Sequence, residues 1–173
     1  RGLIILLLII GCEEYAPTEQ PHTDIDESGP PENVLFENVL FFPNENLLLD
    51  DDVYNLIRDS LGVYPETPDC IHPEFGPHIK SNYDHFLNEN VLRFYLHRDI
   101  DNDRCINFDR QRTEIKVNIQ SPEWLWGING SEFFYSWKFK VDNNFKVSPD
   151  FTHIHQLYPF GNSSKAPTLS YTV

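Results

Sequence analysis

Asp109-Arg110-Gln111-Arg112-Thr113-Glu114-Ile115-Lys116-Val117-Asn118-Ile119 is the stretch whose reading decides the fold. Apolar and polar residues alternate along it, and the polar set carries charge. On a β-strand successive side chains point to opposite faces, so Thr113, Ile115, Val117 and Ile119 are expected in a core and Arg112, Glu114, Lys116 and Asn118 in a row on the other face. Exposed ion pairs contribute only ~0–1 kcal/mol, so stability gives little reason to align two cations, a carboxylate and an amide. The row reads as the floor of a polar cleft, with a plain solvated antiparallel face as the alternative.

The segments on either side have the same character. Upstream, after a turn at Asn88-Glu89-Asn90, Leu92, Phe94 and Leu96 alternate with Arg93, Tyr95 and His97, which predicts a second strand with a basic, aromatic polar face. Downstream, Ser121-Pro122 and Gly127-Ile128-Asn129-Gly130 enclose a loop bearing Trp124 and Trp126, which either stack on sugars at a rim or close the core from above. Phe133, Tyr135, Trp137, Phe139 and Val141 then alternate with Phe134, Ser136, Lys138 and Lys140 in another strand with one apolar face. From Phe151 to Leu157, His153 and His155 stand two apart and so are expected on one strand face, an arrangement that suits metal ligation, acid–base work or a structural role. No convincing third ligand accompanies them, and neither a metal nor a cofactor is expected. A helix is predicted only where Asp50-Asp51-Asp52 offer N-caps to Val53, Leu56, Ile57 and Leu61, with Gly62 as the stop. The helix dipole explains those carboxylates, with an acidic metal site as the alternative. Short strands, one helix and Pro/Gly punctuation predict an all-β chain, an antiparallel β-sandwich of the jelly-roll kind.

The two ends carry different signals. Leu3 to Ile10 is an uninterrupted apolar run, too short for the ~20 residues of a membrane span but suited to the h-region of a signal peptide. Residues 1–12 therefore read as an export leader, residues 13–32 as a flexible acidic tether, and residues 33–173 as the folded domain. Alternation continues through Thr168-Leu169-Ser170-Tyr171-Thr172-Val173, which predicts a domain truncated at its C-terminus. The net charge is −14, yet residues 13–97 hold 18 acids and 3 bases while residues 98–146 hold 8 of each. An acidic surface repels nucleic acid, so no nucleic-acid partner is expected, and a monomer is. In an exported chain Cys70 and Cys105, both in turn-like settings, are candidates for a disulfide.

Two motifs carry a family resemblance over roughly residues 31–173. Arg112-Thr113-Glu114-Ile115-Lys116 resembles the R-[ST]-E-[LV]-R strand of alginate lyase-like jelly-roll polysaccharide lyases, which have a concanavalin A-like sandwich. His153-Ile154-His155 resembles their Q-[IV]-H strand. The resemblance implies β-elimination on an anionic uronate polysaccharide, with Arg112 on the carboxylate and His155 at the C5 proton. Glu114, Lys116, Asn118 and His153 are then expected around the substrate, and the polar face of the neighbouring strand, Arg93, Tyr95 and His97, either joins them or is the plain wet face of a hairpin. Glu114, beside two cations, is expected to stay ionised and to orient Arg112. Lys116 replaces an arginine, keeping charge but losing its fork geometry, and His153 replaces a glutamine. The family's Y-F-K-x-G-x-Y strand, with its catalytic tyrosine, has no counterpart here. At the other end Leu8-Ile9-Ile10-Gly11-Cys12 resembles a bacterial lipobox, and Glu13-Glu14 resembles the export signal of Bacteroidetes surface lipoproteins. Together they imply lipidation of Cys12 and anchoring to the outer membrane or cell surface. The alternative function is a non-catalytic glycan-binding lipoprotein on the same fold.

Overall fold

The computed structural model describes residues 2–14, 38–42, 53–97, 102–108, 110–128, 130–149, 152–157 and 169–172. They belong to two units, residues 1–142 and residues 143–173. The described residues are mostly antiparallel strands with one short helix.

The helix α1, Val53–Leu61, forms where apolar residues recur four apart: Val53, Ile57 and Leu61 are all buried along one stripe. Gly62 ends it with φ +74°, its N–H bonding the Arg58 carbonyl at 2.7 Å. The expected caps at Asp50 to Asp52 lie outside the described residues. α1 packs against β3, Ile79–Asp84, which pairs with β4, Glu89–Tyr95. Ile79, Leu92 and Phe94 join the helix stripe, together with Val63, Val91 and Leu125, in the core. The expected alternation of β4 therefore holds at Leu92 and Phe94, with Arg93, Tyr95 and His97 half-buried. The β3–β4 turn is held by Asp84, whose carboxylate accepts the Phe86 and Leu87 N–H groups, and it closes through Asn88 at φ 55°.

The apolar run read as an export leader lies within β1, Gly2–Glu14. β1 pairs with β2, Asn38–Phe42, with β4 through Gly2 to Ile5, and with β5, Ser131–Val141. A strand enclosed between neighbours and a signal h-region share one composition, so the run by itself fits both. Phe139 of β5 is 45% exposed, so the expected apolar face of that strand is only partly covered.

The opening stretch departs from expectation. Residues 110–119 form no strand: the only ladder contact among them is an isolated bridge, Glu114 to Glu66. Val117 and Ile119 are exposed, the latter at 67%, and the charged residues turn inward. Side chains replace the ladder here. Thr113 donates to the Tyr95 carbonyl at 3.0 Å and Gln111 to the His97 carbonyl at 3.1 Å, laying the segment beside the end of β4. Cys70 and Cys105 form a disulfide with Cα atoms 6.2 Å apart, tying the loop after α1 to the loop before this segment.

The second unit is a two-stranded ribbon of β6, His153–Leu157, and β7, Leu169–Thr172.

Candidate functional site

Three of the four polar residues of the opening stretch converge, and a residue that no motif marks out, Glu66, lies at their centre. Glu66 follows α1 on the bridge to Glu114, with backbone bonds of 2.9 Å in both directions. Its nearly buried carboxylate receives Arg104 Nη1 at 2.8 Å, Arg112 Nη1 at 2.8 Å and Lys116 Nζ at 2.5 Å. Arg112 also meets Glu114 at 3.3 Å, and Arg104 meets buried Asp103 at 2.9 Å. Burial works to raise the Glu66 pKa, but the bonds from Lys116 and Arg112 outweigh it and hold the carboxyl below its ordinary value.

At Glu114 the balance of influences differs from that at Glu66. Burial pushes its pKa up, and the neighbouring charges of Glu66 and Asp103 oppose what Arg112 and Lys116 contribute. Its placement still suits an orienter of Arg112, but its two cations do not win the electrostatic balance. Asn118 leaves the row altogether. Its side chain accepts the Gln120 N–H and its carbonyl accepts Ser121 N–H and the Trp126 indole N–H, so it builds a turn.

A second cluster lies on the polar face of β3 and β4. His78, wholly buried, sets its Nδ1 2.7 Å from Asp69, and its Nε2 3.1 Å from His97 Nδ1. An ionised carboxylate only accepts, so a neutral His78 carries its proton on Nδ1 and accepts on Nε2. The proton between the two rings then belongs to His97 Nδ1, which fixes that ring's tautomer. Tyr54 and Thr67 also donate to Asp69. Burial tends to raise the Asp69 carboxyl, but bonds from His78, Tyr54 and Thr67 bring it below its usual value. The Tyr54 phenol, desolvated by burial and next to that charge, is pushed up to about 12. Phe75 and His72 cover the group, with ring centroids 4.6 Å and 4.2 Å from His97. His97, Tyr95 and Arg93 were legible as a polar strand face. Asp69, His72 and His78 were not, because no periodic pattern or motif marks them.

In the second unit His153 and His155 do not share a face. A bulge between them pairs His153 with Thr172 and His155 with Tyr171, neighbours on β7 whose side chains diverge. His153 Nδ1 lies 2.8 Å from Thr172 Oγ1, while the His155 ring lies 5.9 Å from the Tyr171 ring. Burial lowers the His155 pKa.

Among the described residues no group of three or more His, Cys, Asp or Glu side chains is arranged to hold a metal ion. No described helix is long and apolar enough to cross a membrane. Compared with protein-family models, curated proteins and solved structures, the chain matches none of them.

Proposed function

We propose that this chain is an exported, lipid-anchored lyase of jelly-roll type that cleaves a uronic-acid polysaccharide by β-elimination. The observation that supports this most is the grip on Glu66. Arg112 and Lys116, two positions of the lyase-like motif, close with Arg104 on a carboxylate, the group a uronate presents. Abstraction of the proton α to a carboxylate builds negative charge on its oxygens, and preorganised cations stabilise that charge. A histidine must be neutral to take the proton. Burial favours the neutral form of His155 at neutral pH, which suits that role. For Arg112 to serve a substrate, the sugar carboxylate must take the place that Glu66 now fills. Export would leave Cys12 at the head of the processed chain as the lipid anchor.

A panel of uronate polymers tests this, with the ultraviolet absorbance of the C4=C5 unsaturated product as readout. The full-length protein is expected to generate product, and Arg112→Ala to lower turnover by about 10²–10³, as for loss of one oxyanion donor. No product on any polymer would remove the lyase reading. A second reading, a non-catalytic glycan-binding lipoprotein, draws on the same grip seen from the other side: with Glu66 in place, the cations are already neutralised. Polymer binding that survives His155→Ala, with no product from either protein, would favour it.

A further inference from the structure

Two of the scarcest side chains in the first half of this chain stand opposite one another. Against 18 acids, residues 13–97 contain three bases, Arg58, Lys80 and Arg93. Arg58 pairs with its neighbour Asp59 at 2.7 Å. Lys80 and Arg93 instead face each other directly across β3 and β4. Like charges opposed on an antiparallel pair are destabilising, and this protein has acids in excess with which to relieve them.

Among the described residues the contacts of the two cations are neutral. Lys80 Nζ donates to the Phe75 carbonyl at 3.1 Å and lies 4.0 Å from the Phe75 ring centroid and 5.6 Å from that of Tyr95. The Arg93 guanidinium carbon is 5.9 Å from the Tyr95 centroid. Among the described residues neither cation meets a carboxylate. Phe75 and Tyr95 stand edge to face with centroids 5.0 Å apart, and His97 packs on Phe75 beside them. The result is a pair of cations lying over the Phe75 and Tyr95 rings, all half-buried.

We propose that this face of β3 and β4 is a binding subsite for a hexuronate. The sugar carboxylate lies between Lys80 and Arg93, and its ring rests on the Tyr95 and Phe75 surface. An anion there relieves the opposed charges, and the ring surface of Tyr95 and Phe75 left beside the cations supplies the apolar contact that a pyranose face requires. The subsite deepens the lyase reading and takes its uronate polymer from it. It uses none of the Arg112 cluster, although Thr113 and Gln111 hold that segment against the end of β4.

Titration of the full chain with trigalacturonate and triguluronate, with maltotriose as the neutral control, tests the subsite. Binding is read from the aromatic side-chain NMR signals of Phe75, Tyr95 and His97. A uronate trimer is expected to move those signals and maltotriose to leave them in place. The double variant Lys80→Gln/Arg93→Gln is expected to weaken binding by about 100-fold or more, since two charge-assisted hydrogen bonds to the carboxylate lose their charge, while Arg58→Gln, at the third base of this half, retains it. If the double variant does not fold, the wild-type shifts alone decide. Equal shifts from maltotriose, absence of shifts with both uronates, or binding unchanged in a folded double variant would overturn the subsite. Binding abolished in Arg112→Ala but kept in the double variant would also overturn it while leaving the lyase reading intact. Binding that follows Lys80 and Arg93, with no product from any polymer, supports the subsite and removes the lyase reading.

Discussion

Glu66→Gln tests whether the charge cluster is organised around one carboxylate. Three cations contact Glu66, and its side chain is only 11% exposed. Hydrogen bonds to charged groups contribute ~1.5–3 kcal/mol each, which would exceed ~4 kcal/mol in sum if they were independent. They are not independent. Arg104 keeps Asp103, Arg112 keeps Glu114, and the three cations remain 26–38% exposed, where solvent screens them. The expected loss is therefore about 2–3 kcal/mol at neutral pH, or about 4–12 °C in Tm for a chain of this size. The pH dependence distinguishes this from a packing defect. Because the folded-state pKa of Glu66 is depressed, its contribution is complete above the ordinary glutamate value of ~4.3 and is lost as the pH falls through the folded value. Urea melts followed by circular dichroism between neutral and acid pH should show wild type and variant converging in acid. A variant within ~0.5 kcal/mol of wild type at neutral pH, or a gap that persists in acid, would refute the reasoning.

Glu114→Gln should behave oppositely: with a raised folded-state pKa, Glu114 contributes stability below its ordinary value and loses it as the pH rises through the folded one, so the variant should be no less stable than wild type in neutral urea melts. Asp69→Asn should bring the Tyr54 phenol down from about 12, since it removes the charge beside it while burial remains, and an ultraviolet titration of tyrosinate would show this. Gly62→Ala should cost more than Gly76→Ala in thermal melts. Both have φ near +75°, but a Cβ at Gly62 falls 2.9 Å from the Gln120 carbonyl oxygen while one at Gly76 meets nothing within 4 Å. A chain begun at Cys12 should keep slow amide exchange in α1 and β3, which pack on one another and, through β3, on β4, and lose it in β5, which pairs with β1 over most of its length. Exchange protection absent everywhere would make β1 indispensable.

What the sequence determined by itself was local. The four-residue recurrence of Val53, Ile57 and Leu61 with Gly62 behind it specifies α1, and the alternation of Leu92 and Phe94 with Arg93 and Tyr95 specifies β4, because each pattern buries one face only in one backbone geometry. The antiparallel, mostly β character follows from the same patterns. Tertiary structure decided the rest. Alternation from Arg112 to Ile119 fits a strand, yet Glu66, 46 residues from Arg112, draws the charges inward and leaves Val117 and Ile119 outside. Spacing alone puts His153 and His155 on one face, and a one-residue bulge against β7 separates them. Asp69, His78 and His97 form their hydrogen-bonded chain only when the loop after α1 folds onto the β3–β4 hairpin, with the Cys70–Cys105 disulfide closing the same loop. Periodicity reports which residues of one segment share a face. The partner that turns such a face into a site comes from elsewhere in the chain, and no local pattern encodes that distance.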